Sequence, residues 1–499
     1  MVDTIYMKKQ AMRVGLLLCG LVIARGDVVK YIGRTDEIVE TPGVFSCRVA
    51  LDWGAFSGQS TASAQLSVPM KIEGDGEVGM RVFVLDAAGT EEFVAANNPG
   101  PAGPAIFNVT DFINEHPRLR RATFVIRAVM RPLSTVRLAA DDGPSLALNT
   151  EGQPRYPLRD MLAPMWAGPE MVNETVLPVA REGEAAEGRL LFAPVGSPVV
   201  RNYALDKTYV AGVDYLIKGN AVVLTGSSAI PFFSEKQLYP ESSEAGVPTK
   251  ETWNGGYLAF SEGPFFNDRQ ITVTYQHRDD WNGPIPAAGT GRLPRTKETL
   301  RNGSPLKVVL FGDSISVGAS ASGRAGKPPF VPGWGDLLIS GLRQRHASKI
   351  TFVNSSKGGG NTEWGLKVAP YMVVPEKPDL CIIAFGINDG NRLPVEKYLA
   401  NTRKLIELVR EERPDAEFIL VASMLKNERW RPLSPMNQYL AALKTLESEQ
   451  IAVADVWSMS EFILKTKRYC DVSGNHVNHP NDFMVRVYAQ TVSALLGLK

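Results

Sequence analysis

A chain of 499 residues has room for several domains, and 44% hydrophobic with 21% charged residues lets each bury a core, which excludes bulk disorder. Lys and Arg number 54 against 53 Asp and Glu, a formal charge of +1 without the basic excess that a phosphate backbone recruits. Nucleic acid is not an expected partner.

In chain order, Lys8, Lys9 and Arg13 come first, then an apolar run over 14–24, then Arg25-Gly26-Asp27. A basic head, a short apolar stretch and a Val22-Ile23-Ala24 ending predict a secretory signal peptide over 1–24 and hence a secreted or periplasmic protein. The run is too short to span a bilayer, so no stable membrane anchor is expected. Cys47, Cys381 and Cys470, which remain after the leader, have neither a disulfide framework nor metal-ligand spacing, and no metal or cofactor is expected. Over 25–155, short β-rich runs such as 81–85 and 122–126 alternate with Gly, Pro, Asn and Asp clusters and predict a β-sandwich module. A second β-rich module is expected over 160–285, with a hairpin at 215–224 turning on Gly219-Asn220 and a half-buried strand at 271–275. The Gly-, Pro- and aromatic-rich segment 231–266 reads as loop, and 286–305 as a linker. Trp53, Trp166, Trp253 and Trp281 have indoles suited to stacking on sugar rings, though core packing is the commoner role in a sandwich.

From residue 306 the pattern changes. Buried-strand runs at 306–311, 350–353, 380–384, 418–421 and 451–454 alternate with helical patterns, including 395–411, 435–447 and 483–496. In the last of these Met484, Val487, Tyr488, Thr491, Val492, Leu495 and Leu496 share one stripe. Strands alternating with helices predict a parallel, doubly wound α/β domain over 306–499, whose site gathers at the carboxyl ends of the strands. Three strand-end loops read Gly312-Asp313-Ser314-Ile315-Ser316, Asn354-Ser-Ser-Lys-Gly-Gly-Gly360-Asn361-Thr362 and Gly386-Ile387-Asn388-Asp389-Gly390; Asn478-His479-Pro480-Asn481-Asp482 precedes the last helix. A serine on a strand-to-helix turn projects its hydroxyl beside backbone N–H groups, and Asp313 is suited to holding that turn. A glycine N–H and an asparagine amide can serve an oxyanion, and a histidine can carry the serine proton. Of the five histidines, only His476 and His479 lie just before the last helix.

These four segments resemble the blocks of the SGNH hydrolases, the GDSL-type esterase superfamily, over roughly the last two-fifths of the chain. The resemblance implies a flavodoxin-like three-layer α/β/α domain following the β-sandwich modules. It implies Ser314 as nucleophile, His479 as base, and Ser314, Gly360 and Asn388 as oxyanion donors. Family members usually place an aspartate three residues before the histidine, where this chain has His476. Three arrangements follow: a Ser314–His479 dyad with a backbone carbonyl holding the ring, which is the favoured one, or Asp471 or Asp482 as the orienting acid; His476 itself fits only as a neutral acceptor. Asn481 or Asp482 is also suited to capping the last helix. Trp334, Trp364, Asn427 and Trp430 are candidates to shape the alcohol-side pocket. Together with the β modules, the resemblance implies hydrolysis of short-chain, acetyl esters on a carbohydrate or polysaccharide. The rivals are a lipid or thioester acyl hydrolase and an inactive carbohydrate-binding or adhesion protein.

Overall fold

The computed structural model describes residues 23–497 apart from short stretches, most of them before residue 157. The expected leader lies outside the described residues except for Ile23 and Ala24. The N-terminal region is all β. One five-stranded antiparallel sheet runs in the order Ile23–Arg25, Val28–Ile32, Ser145–Asn149, Ser63–Val68, Ala105–Asn108. The other runs Arg34–Thr41, Val44–Asp52, Arg121–Met130, Val78–Leu85, Glu91–Asn97. Every second residue faces a shared core: Phe45, Cys47, Val49 and Leu51 from one sheet meet Ala64, Leu66, Val68 and Phe107 from the other. Trp53 lies in that core against Phe124, so it presents no face to a sugar.

In the C-terminal region five parallel strands stand in the order Ile350–Asn354, Leu306–Gly312, Leu380–Ala384, Glu417–Ala422, Ile451–Asp455. The first of these in the chain is second in the sheet, so the path goes out to one edge and then crosses back. Loops leaving the first and third strands diverge at that switch and open a crevice at their carboxyl ends. All five residues of Leu380–Ala384 are buried, as helices on both faces require.

The second β-rich region has a three-stranded antiparallel sheet, Glu170–Val176, Ile271–Gln276 and Val195–Asn202, and a hairpin, Tyr215–Lys218 with Ala221–Leu224, turning on Gly219 at φ +61°. It shares one continuous core with the α/β region. Met171, Val176, Val200 and Ile271 belong to the same apolar cluster as Leu338, Val485 and Val492. The segment expected to be a linker contains the helix Pro294–Asn302, whose Leu300 enters that core. Its N-terminal N–H groups, from Arg295 and Thr296, donate to the buried Glu417 carboxylate at 2.9 and 2.8 Å. With one leucine among nine residues, this helix carries too little apolar periodicity to be read from sequence.

The last helix, Asp482–Leu495, has the expected stripe, yet every residue from Asp482 to Ser493 is buried. The stripe faces the α/β core, and the polar side is covered by the second β-rich region and the segment leading into it. There Gln490 Nε2 donates to the carbonyls of Met161 and Ala163, both at 2.8 Å, and Arg486 donates to Val172 O. Nearby, Lys467 Nζ and Glu174 Oε1 form a fully buried pair at 2.6 Å; Glu174 also accepts from Tyr275 Oη at 2.6 Å and from Leu191 N–H at 2.9 Å. The sandwich docks through buried Arg81, which reaches Glu376 at 3.0 Å and Ser355 Oγ at 3.2 Å. No helix among the described residues is long and apolar enough to cross a membrane.

Candidate active site

The strand Leu306–Gly312 delivers the chain to a tight turn, and Ser314 opens the short helix Ser314–Val317. Asp313 caps it, its Oδ1 accepting from the Ile315 N–H at 3.0 Å. Gly312 is required where the turn passes the next strand, since a Cβ there would lie 2.5 Å from Ala384 O. Burial drives the Asp313 carboxyl up to about 8; the Ile315 N–H opposes this and nearby Asp389 adds to it. The Ser314 N–H belongs to the first helical turn, where no preceding carbonyl of the helix can satisfy it.

Ser314 and His479 are 165 residues apart in sequence, yet the Ser314 hydroxyl lies 2.9 Å from His479 Nε2. The loop carrying His479 is organised by Asn475, which sequence reasoning missed. Its Oδ1 accepts from the N–H groups of Val477, Asn478 and His479, each at 3.0 Å, while Ser473 Oγ donates to His479 O at 2.8 Å. On the other side of the ring, His479 Nδ1 is 3.0 Å from Glu262 Oε2, and Glu262 Oε1 accepts from Asn475 Nδ2 at 3.2 Å. Burial pushes the Glu262 carboxyl up, but the bonds from His479 and Asn475 outweigh it and hold the group below the usual carboxylate range. Glu262 lies in the segment read as loop, 217 residues from His479. The only sequence signal for it was negative: the usual aspartate is missing.

The expected orienting groups are engaged elsewhere. Asp471 accepts from the N–H groups of Leu177 and Arg468 at 2.7 and 2.8 Å. Asp482 Oδ1 accepts from the Ser322 N–H at 2.9 Å, and Asn481, not Asp482, caps the last helix. The backbone carbonyl of the favoured dyad is replaced at Nδ1 by the Glu262 carboxylate. His476 has φ +64°, a left-handed conformation that sends its ring away from His479 and into the second β-rich region, where Nδ1 donates to Ala259 O at 3.0 Å.

Burial, with a smaller push from Arg429, lowers the His476 pKa from 6.5 to about 4 against the bond to Ala259. Between those values the unfolded chain binds more protons than the folded one. The His476 contribution is therefore intact above about pH 6.5 and is lost as the pH falls toward 4, on the order of 3 kcal/mol in all. Asp313 and Asp482, driven by burial up to about 8 and about 7, act in the opposite direction, so the test is a difference. The stability advantage of the wild type over His476→Gln, from urea unfolding, is expected to shrink by that amount from pH 7 to pH 4; a pH-independent difference contradicts this account.

Asn388 and Gly360 are adjacent, Asn388 Nδ2 donating to Gly360 O at 2.8 Å. An amide nitrogen carries two hydrogens, so one remains for another acceptor. The Gly360 N–H is turned onto Lys357 O at 3.0 Å, so Ser314 N–H and Asn388 are the better-placed donors of the three expected. Asp389 anchors the Thr362 N–H at 2.9 Å, and Lys426 Nζ holds Gly390 O at 2.8 Å, which ties these two loops and the next strand end together.

The four residues expected to shape the pocket divide. Trp334 is fully buried against Tyr488 and is core. Asn427 is buried, its Nδ2 bonded to His476 O at 2.8 Å, and Trp430 packs with Leu258 and Val477; both brace the histidine loop. Trp364 borders the site, its ring 2.9 Å from where a Cβ on Gly360 would lie. Among the described residues no group of three or more His, Cys, Asp or Glu is placed to hold a metal ion.

Residues 310–486 match the GDSL-like Lipase/Acylhydrolase family. An arylesterase of Vibrio mimicus is 32% identical over 106 residues, 21% of this chain and 49% of that protein, so the chain spans about half the length of this relative. A GDSL esterase/lipase of Arabidopsis thaliana is 25% identical over 210 residues, 36% of this chain and 82% of its own length. Among solved structures, a catalytic mutant of an acetylxylan esterase from Geobacillus stearothermophilus has 21% identity and a TM-score of 0.33, covering 40% of this chain and 96% of that one. The C-terminal region of this chain is thus a GDSL-like lipase/acylhydrolase domain of the SGNH superfamily.

Proposed function

We propose that the protein is a serine esterase acting through Ser314 and His479. The observation that carries this reading is the 2.9 Å contact between Ser314 Oγ and His479 Nε2 at the carboxyl end of the first parallel strand. Ser314 Oγ attacks the ester carbonyl as its proton passes to His479 Nε2. The tetrahedral oxyanion takes hydrogen bonds from the Ser314 N–H and Asn388 Nδ2, with Gly360 beside them. His479 then gives its proton to the leaving alcohol oxygen as the C–O bond breaks. A water, deprotonated by the same nitrogen, hydrolyses the acyl-serine and frees the acid. The arylesterase and GDSL esterase/lipase names of the relatives agree with this chemistry.

For the substrate we propose a short-chain, acetyl ester on a carbohydrate. Trp253 supports this reading. Its indole is 56% exposed and held by an Nε1–H bond to Glu428 O at 3.3 Å. It lies in the turn of the hairpin Thr249–Glu251 with Tyr257–Ala259, whose second strand runs on into Glu262. A fixed, exposed indole is a platform for a sugar ring. The test is hydrolysis of p-nitrophenyl acetate, butyrate and decanoate beside an acetylated polysaccharide. Acetate is expected to exceed decanoate in kcat/KM by on the order of 10-fold or more, since each methylene a pocket refuses is worth about 10-fold or above. A preference for decanoate moves the assignment to a lipid acyl hydrolase, and no turnover of any ester favours a binding protein.

A further inference from the structure

We infer that Glu262, supplied by the second β-rich region, is the positioning residue that orients His479, an inference that rests on the esterase reading above. The juxtaposition is built from both sides. From the histidine loop, Asn475 Nδ2 grips one carboxylate oxygen of Glu262 at 3.2 Å, and the other oxygen faces His479 Nδ1 at 3.0 Å. The same loop holds the strand that leads to Glu262, because His476 Nδ1 donates to Ala259 O, three residues upstream, at 3.0 Å. Tyr239 and Phe266, from the same region as Glu262, pack their rings on His476. The residue standing where relatives carry an aspartate thus pins down the segment that brings in a carboxylate from elsewhere.

The chemistry follows from the tautomer. For Nε2 to take the Ser314 proton, the hydrogen of neutral His479 must sit on Nδ1, and a carboxylate acceptor at Nδ1 selects that form. When the proton arrives the ring becomes an imidazolium, and the Glu262 charge stabilises it without taking the proton. Glu262 touches neither substrate nor the reacting atoms, so its effect belongs to kcat rather than to KM. Its side chain is 55% exposed, which makes the effect smaller than for a fully buried acid and leaves room for an exogenous carboxylate to enter.

The experiment uses the full chain and Glu262→Gln, Glu262→Ala and Ser314→Ala variants, with turnover of p-nitrophenyl acetate and the rate of labelling by a fluorophosphonate as readouts. Both Glu262 variants are expected to lose on the order of 10²-fold in kcat and in labelling rate, with KM within about twofold of the wild type. Sodium formate is expected to restore part of the loss in Glu262→Ala and none in Ser314→Ala. Glu262→Ala within about twofold of the wild type, beside an inactive Ser314→Ala, overturns the role of Glu262 and leaves the esterase reading standing. An impaired Glu262→Ala that formate does not rescue reduces Glu262 to a structural tie and also overturns it. A wild type that is neither labelled nor active overturns both readings.

Discussion

Ser314→Ala and His479→Ala are each expected to lower kcat for p-nitrophenyl acetate by on the order of 10⁵–10⁶-fold, and the double variant is expected to lose no more than either alone. The size follows from what each change removes. Without Ser314 Oγ there is no covalent route, and water must attack unassisted by the geometry of the turn. Without His479 Nε2 at 2.9 Å to accept it, the Ser314 hydroxyl keeps its proton and is a poor nucleophile. Because the two act as one unit, removing the second after the first takes away nothing further. What remains is binding and oxyanion donation from Asn388 and the Ser314 backbone, so residual activity above the uncatalysed rate is part of the expectation. Steady-state kinetics on all three variants check it; losses that multiply in the double variant show that the two side chains act separately.

The second large effect concerns stability. Lys467→Met is expected to destabilise the protein by about 3–5 kcal/mol, because it strands the Glu174 carboxylate, 0% exposed, without its countercharge. Glu174 keeps bonds from Tyr275 and the Leu191 N–H, but two neutral donors do not offset a buried anion. Adding Glu174→Gln is expected to recover part of the loss, since a neutral amide can accept from the Leu191 N–H through its oxygen while its NH2 donates to the Tyr275 hydroxyl oxygen. Calorimetry or urea unfolding of the two variants tests this. A Lys467→Met protein as stable as the wild type contradicts the burial of the pair. A double variant no more stable than the single one contradicts the assignment of the loss to stranded charge.

The α/β region was the most legible part of the chain. Strands buried on both faces read as continuous apolar runs, and Leu380–Ala384 is matched residue for residue. The loops around Ser314, Gly360, Asn388 and His479 were legible for a related reason: glycines and capping residues at strand ends are local requirements of turns. What was not legible depends on contacts across long separations. The segment around Glu262 shows only turn formers and aromatics, and nothing local reveals that its carboxylate meets a ring 217 residues away. The environment of His476 is set by Ala259, Tyr239 and Phe266, none of them neighbours in sequence. Trp334 was misjudged because a tryptophan at a helix start looks the same whether it faces a pocket or, as here, Tyr488. The short helix Pro294–Asn302 was lost for want of apolar residues, its position being set by Glu417 instead.

The enclosed C-terminal helix also dictates an order of events during synthesis. The carbonyls of Met161 and Ala163 receive their hydrogen bonds from Gln490, which follows them by 329 and 327 residues. At about 5–20 residues per second, roughly 15–65 s pass between the emergence of the two partners. During that interval the segment around the helix Leu158–Leu162, which will cover part of the last helix, stands open to water and to neighbouring chains. Packing of this surface consequently waits until the helix Asp482–Leu495 has itself been made.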